Sequence, residues 1–210
     1  MLLLPPPPLL SLAFRLVLLV VGSSCVLCCC EQDQEWCDAL AVMSEGKPKG
    51  PVKGSEDIMK PKAFGTCPNP VQEPLKWNCN PELANKICAH NRHFAEHAGY
   101  FQETGFLKEV DRTKPTTYYD PITNKPLFVA PVGRTFEEFE KESKSHGWPS
   151  FRDDEVDWGN VRVLPDGEVV STAGTHLGHN LPDRKGNRYC INLVCVAGRG
   201  PSEDGAAPSS

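Results

Sequence analysis

Between Gly174 and Cys195 the chain reads GTHLGHNLPDRKGNRYCINLVC, which gathers two imidazoles, a thiol, a guanidinium and an amide. His176 and His179 stand three residues apart, and a turn rich in Pro, Asp, Lys and Gly spans Leu181 to Asn187. A β-like run follows from Arg188 to Val194. Successive strand side chains point to opposite faces, so Arg188, Cys190 and Asn192 are expected on one face, with Tyr189, Ile191 and Leu193 in a core. A thiol between a fixed cation and an amide, near two imidazoles, is a candidate nucleophile, because positive charge favours the thiolate. The competing reading is a buried strand cysteine beside a turn. Cysteine outside disulfides is among the most buried residue types, and one Cys with a distant His is only a candidate.

These groups need a scaffold, and 210 residues suggest one domain with extensions. A charged fraction of 23% and a hydrophobic fraction of 40% suit a globular core. The net charge of −5 gives no reason to expect nucleic acid or an anionic membrane surface as partner. Residues 1–30 read as a signal peptide: a short apolar core, Leu16 to Val21, runs into Gly22, Ser23 and Ser24. The alternatives are a signal anchor, with Cys28, Cys29 and Cys30 open to acylation, and organelle import. The expected location is the secretory pathway or the cell exterior, with a membrane contacted only through such an anchor. Residues 31–63 (with GKPKGPVKG) read as a disordered linker with little apolar content.

Residues 64–117 read as a helical extension. Asn80 is the expected cap of a helix that continues to Ala98, with Pro81 at its first position and Gly99 as its stop. His90, His93 and His97 would share one face of that helix, more in keeping with a solvated face than with a metal site, because no second ligand pair completes zinc spacing. A second short helix is expected over Phe101–Glu109. Tyr118-Tyr119, the turn Asp120–Asn124 and Leu127–Val129 predict a hairpin. Thr135 should cap a helix to Ser145, with Phe136 and Phe139 inward. Strands are expected near Val156–Asn160, at Val161–Leu164 and at Glu168–Thr172, the last two joined by Pro165-Asp166-Gly167. Gly198 to Ser210 reads as a tail.

Gly147-Trp148-Pro149-Ser150-Phe151 alone is a Gly–Pro turn with two core aromatics. Together and in order, however, GWPSF, HLGH and RYCIN resemble the methionine sulfoxide reductase B family, the peptide-methionine (R)-S-oxide reductases. The resemblance spans roughly Tyr118 to Val196. It implies a mainly β, α+β fold: a two-sheet antiparallel core over residues 118–197, with small helices alongside and the extension added. It also implies Cys190 as the nucleophile and His179, His176, Asn192 and Arg188 as its catalytic partners. Trp148, which packs on the substrate methyl group, and Phe151 are implied at the substrate. The implied substrate is methionine sulfoxide, free or in proteins, and the implied reductant is a small thiol or a thioredoxin-like protein. No cofactor is implied.

The chain departs from the family pattern at three places. His146 stands two residues before Trp148, where a resolving cysteine often sits. The second C-x-x-C of zinc-binding members has no counterpart in Val170–Gly174, so no metal is expected. The turn between HLGH and Cys190 is short. Cys195, five residues along an extended strand, would lie on the opposite face roughly 16 Å away. Cys67, Cys79 and Cys88 are left as resolving or disulfide-forming candidates, beside an external thiol. The rival to an enzyme is a non-catalytic binding module that keeps the reductase fold.

Overall fold

Short apolar runs separated by Pro, Asp and Gly bury one face each most simply as antiparallel strands. The computed structural model, which describes residues 48, 50–60, 69–89 and 94–201, has two antiparallel sheets with few helices. The chain divides into two units, residues 1–45 and 46–210. The first, with the expected signal segment, lies outside the described residues, as do Cys67, His90 and His93. Among the described residues no helix is long and apolar enough to cross a membrane.

The elements in order are α1 (Pro81–Ala89), α2 (Tyr100–Glu103), α3 (Phe106–Glu109), β1 (Thr116–Tyr119), β2 (Pro126–Ala130), α4 (Phe136–His146), β3 (Ser150–Phe151), β4 (Val161–Val163), β5 (Glu168–Ser171), β6 (His176–Asn180) and β7 (Tyr189–Ile191). β1 and β2 form the expected hairpin, its turn held by the Asp120 carboxylate, which accepts from the Ile122 and Thr123 amides at 2.9 and 3.3 Å. The second sheet runs β3-β7-β6-β5-β4. This order puts β7, with Cys190, between the GWPSF strand and the HLGH strand.

α4 begins with a reciprocal cap. The Glu138 amide donates to Thr135 Oγ1, and the Thr135 amide donates to the Glu138 carboxylate. Its Phe136 and Phe139 are buried as expected. α1 is capped by Asn80, whose side chain accepts from the Leu83 amide at 3.0 Å.

The structure corrects the expected extents in several places. α1 ends at Ala89, and residues 94–97 are not helical. There the Glu96 side chain accepts from the Leu193 and Val194 backbone amides instead of lying on a helix face. Residues 100–109 make two single turns rather than one helix. Residues 157–160 turn instead of forming a strand, with only Val156 bridged to Phe128.

Contacts also cross two of the expected boundaries. Part of the expected linker is ordered: Lys53 bridges to Val163 beside β4, and Met59 packs with Leu164 and Val170. Residues 69–117 share one apolar core with residues 118–197, since Val71, Trp77, Ile87 and Phe106 join the same cluster as Phe128, Phe151 and Ile191. A sheet with one apolar face must bury it against something, and here the chain before β1 supplies the cover. At the other end Gly198 pairs with Tyr119, so the expected tail packs at its start.

Candidate active site

Cys190 is half-buried at the centre of β7, and strand register surrounds it. Ser150 of β3 and His179 of β6 are its direct cross-strand partners. Residues opposite one another in an antiparallel ladder share a face. The Ser150 hydroxyl lies 3.9 Å from Cys190 Sγ. The two strands can close only because residue 178 is glycine: a Cβ there would stand 2.0 Å from the Cys190 carbonyl oxygen.

Strict alternation would send His176 and His179 to opposite faces. β6 avoids this with a bulge. Gly178 pairs with Val169 and His176 with Val170, so β6 advances two residues while β5 advances one. Both imidazoles therefore face the same way, with ring centroids 5.6 Å apart. Their positions differ in depth. His179 lines the pocket over Cys190, whereas His176 is fully buried behind it and shares a 2.7 Å hydrogen bond with the buried Glu168 carboxylate. His176, expected as a catalytic partner, thus supports His179 from behind rather than lining the pocket.

Arg188 donates from Nη1 to Cys190 Sγ at 2.5 Å, as the shared strand face requires. Its Nε lies 3.5 Å from the Asp183 carboxylate in the turn before β7. Asp183 is itself gripped by Arg152, with contacts of 2.8 and 3.1 Å, and these hydrogen bonds are the main cause that holds its carboxyl below the ordinary value. The Leu181–Asn187 turn thus delivers a positioning charge for Arg188.

Asn192 leaves the strand and is fixed by three bonds. Its backbone and side-chain N–H groups both donate to the Leu177 carbonyl, at 2.9 and 3.0 Å. Its Oδ1 accepts from the Glu96 amide at 3.0 Å. An amide NH2 has two hydrogens, so one N–H of Asn192 is left for a ligand in the pocket that it lines. Trp148 is held by the same residue, its indole N–H donating to the Glu96 carbonyl at 3.1 Å.

The resulting cavity has a volume of about 260 Å³ and is lined by Ala95, Trp148, Gly178, His179, Leu181, Cys190 and Asn192. A larger cleft of about 710 Å³ lies along α4, but its walls are ion pairs such as Arg152–Asp183, and it does not contain Cys190. The smaller cavity holds the chemistry: a thiol, an imidazole and an amide in an otherwise apolar recess. Phe151, expected at the substrate, is fully buried and stacks on Phe128 at 4.3 Å, so it belongs to the core beneath. His146 lines the larger cleft.

Glu96 and Ala95 were not legible as site residues. Glu96 is 2% exposed, and its carboxylate accepts from the Leu193 and Val194 amides at 2.8 and 3.2 Å. Burial is the largest effect on it and pushes its carboxyl up to about 8, against the two amide bonds. One residue thereby ties together the turn after β7, the Asn192 amide and the Trp148 indole. Chain distance hid this role, because Glu96 and Asn192 are 96 residues apart.

Cys195 does not continue the strand. Leu193–Cys195 form a 3-10 turn that carries Cys195 into the core, where it meets Cys88. Cys79 is buried as well, and none of these three cysteines lines the pocket of Cys190. Among the described residues no group of three or more His, Cys, Asp or Glu side chains is placed to hold a metal ion. No protein-family model matches the chain, and no solved structure matches it.

Proposed function

We propose that the protein is a thiol-dependent methionine (R)-sulfoxide reductase of the methionine sulfoxide reductase B type, with Cys190 as nucleophile. The observation that carries this reading is a half-buried thiol in contact with a guanidinium, at the floor of a small apolar cavity that also presents an imidazole and one amide N–H.

The cavity suits a sulfoxide bearing a methyl group. The methyl group packs on the Trp148 ring by apolar contact. The sulfoxide oxygen accepts from Asn192 Nδ2 and takes a proton from His179, which makes it a competent leaving group. The Cys190 thiolate, with the Arg188 guanidinium against its sulfur, attacks the substrate sulfur. The oxygen, as hydroxyl, then passes to Cys190 Sγ: the S–O bond and the Sγ–S bond formed in the attack both break as the Sγ–O bond forms, leaving a sulfenic acid on Cys190 and a thioether whose sulfur is reduced by two electrons. A thiolate, a sulfoxide and one proton therefore give a sulfenic acid and a thioether. Return of the enzyme requires two external thiol equivalents: the first condenses with the sulfenic acid to a mixed disulfide and water, and the second reduces that disulfide. Among the described residues, Cys79, Cys88 and Cys195 are buried and none lines the pocket, which supports an external reductant over these three, while Cys67 lies outside the described residues.

The test is turnover of the separated epimers of a methionine sulfoxide peptide with dithiothreitol. The expected result is reduction of the R epimer, none of the S epimer, and loss of activity in Cys190→Ser. Full activity in Cys190→Ser, or equal use of both epimers, would refute the proposal.

A further inference from the structure

We infer that Cys88 and Cys195 are partners in a buried disulfide that clasps α1 to the turn following β7. This is independent of the reaction proposed at Cys190.

The two residues are 107 positions apart, yet their sulfurs lie 2.6 Å from each other. Packed non-bonded heavy atoms approach only to about 3.5–4.0 Å, so this separation is nearer to bonding than to contact. Both side chains have no exposure. Cys88 sits in the last turn of α1 and Cys195 at the end of the 3-10 turn Leu193–Cys195. A shared metal is a poor alternative, because no third ligand of the usual types joins them among the described residues.

The placement gives the clasp a purpose. The turn it holds is the one whose Leu193 and Val194 amides receive the Glu96 carboxylate. Cys88 and Glu96 thus both meet this one turn, and Ala95, next to Glu96, is a wall of the cavity. A covalent bond there keeps the wall against Cys190 without involving the Cys190 thiol.

Formation requires an oxidised dithiol donor of the kind that introduces disulfides during secretion. The thiolate of one cysteine attacks the donor disulfide and releases one donor thiol. The second cysteine then attacks the mixed disulfide and releases the other. Two protons and two electrons leave the pair for the donor. Burial pushes the Cys195 thiol well above its usual range, so exchange belongs to folding, before the core closes.

The test uses the full chain produced through an oxidising secretory route. The protein is unfolded in guanidinium with N-ethylmaleimide and digested without reduction, and cysteine-containing peptides are mapped by mass spectrometry. The expected result is a linked Cys88–Cys195 peptide pair, with Cys190 carrying the maleimide. Adding dithiothreitol should lower the thermal midpoint by about 10 °C, as expected for a bond closing a loop of this length, and should not lower that of Cys195→Ala. Maleimide on both Cys88 and Cys195, or either one linked to a different cysteine, would overturn the inference. The mapping is done on the unsubstituted protein, so it stands even where Cys195→Ala fails to fold.

Discussion

Replacing Glu96 with Gln separates the charge of this side chain from its shape. In the native fold its two oxygens accept from Leu193 and Val194 while the group is 2% exposed. Its ordinary value is 4.5 and burial raises it to about 8. Between these two pH values the folded chain keeps a proton that the unfolded chain has released. Stability therefore falls as pH rises from 4.5, and the full cost of burying the charge is present only above about 8. At 1.36 kcal/mol per tenfold difference, that cost is at most on the order of 5 kcal/mol. Glu96→Gln removes the titration but sets an NH2 group against the Val194 amide, giving up one hydrogen bond and leaving a buried donor, about 1–3 kcal/mol. The variant should thus be less stable than the native protein at pH 5. The gap should close with rising pH and reverse between about pH 5 and 7, so that the variant is the more stable protein at pH 9. Urea unfolding of both proteins at pH 5, 7 and 9 measures it, and other titrating groups cancel in the difference. A difference between the two proteins that stays constant from pH 5 to 9 would refute the reasoning.

Two further outcomes follow from the pocket. Arg188→Met removes the cation that donates to Cys190 Sγ; iodoacetamide should then alkylate Cys190 more slowly at pH 7, and sulfoxide turnover should fall about 10- to 100-fold, the size of a lost charge-assisted contact of about 1.5–3 kcal/mol. An unchanged alkylation rate would remove Arg188 from the chemistry. Gly178→Ala puts a methyl group 2.0 Å from the Cys190 carbonyl oxygen, which backbone must move to accommodate; the expected loss is about 1–3 kcal/mol or more in urea unfolding, with β7 displaced from β6 and activity lost with it.

Local chemistry explains what was readable in advance. Asp120 in a turn, Thr135 three residues before Glu138, and Asn80 before Pro81 each act through neighbours within a few residues, so the β1–β2 hairpin and the starts of α4 and α1 were legible. The shared face of Arg188 and Cys190 follows from the two-residue period of a strand. What escaped depends on contacts made across long stretches of chain. Glu96 serves Leu193 and Val194, Cys88 meets Cys195, and Lys53 bridges to Val163; the nearby sequence suggested a helix face for Glu96, a continuing strand for Cys195 and a linker for Lys53. Phe151, implied at the substrate by the resemblance, packs in the core, because alternation from Ser150, which faces Cys190, turns it inward.

The bulge in β6 amounts to a half-period slip confined to one strand. Residues after it are in phase with the pocket, those before it would otherwise be out of phase, and the slip brings His176 back into register with His179. The extra residue is Leu177, whose carbonyl accepts from the backbone N–H and one side-chain N–H of Asn192. Deleting Leu177 would leave a His-Gly-His sequence whose imidazoles still share a face in an unbroken ladder. The histidine pair would survive such a shortening, but the anchor that aims the Asn192 amide would not. The three-residue spacing of HLGH is therefore set as much by the asparagine on the neighbouring strand as by the histidines themselves.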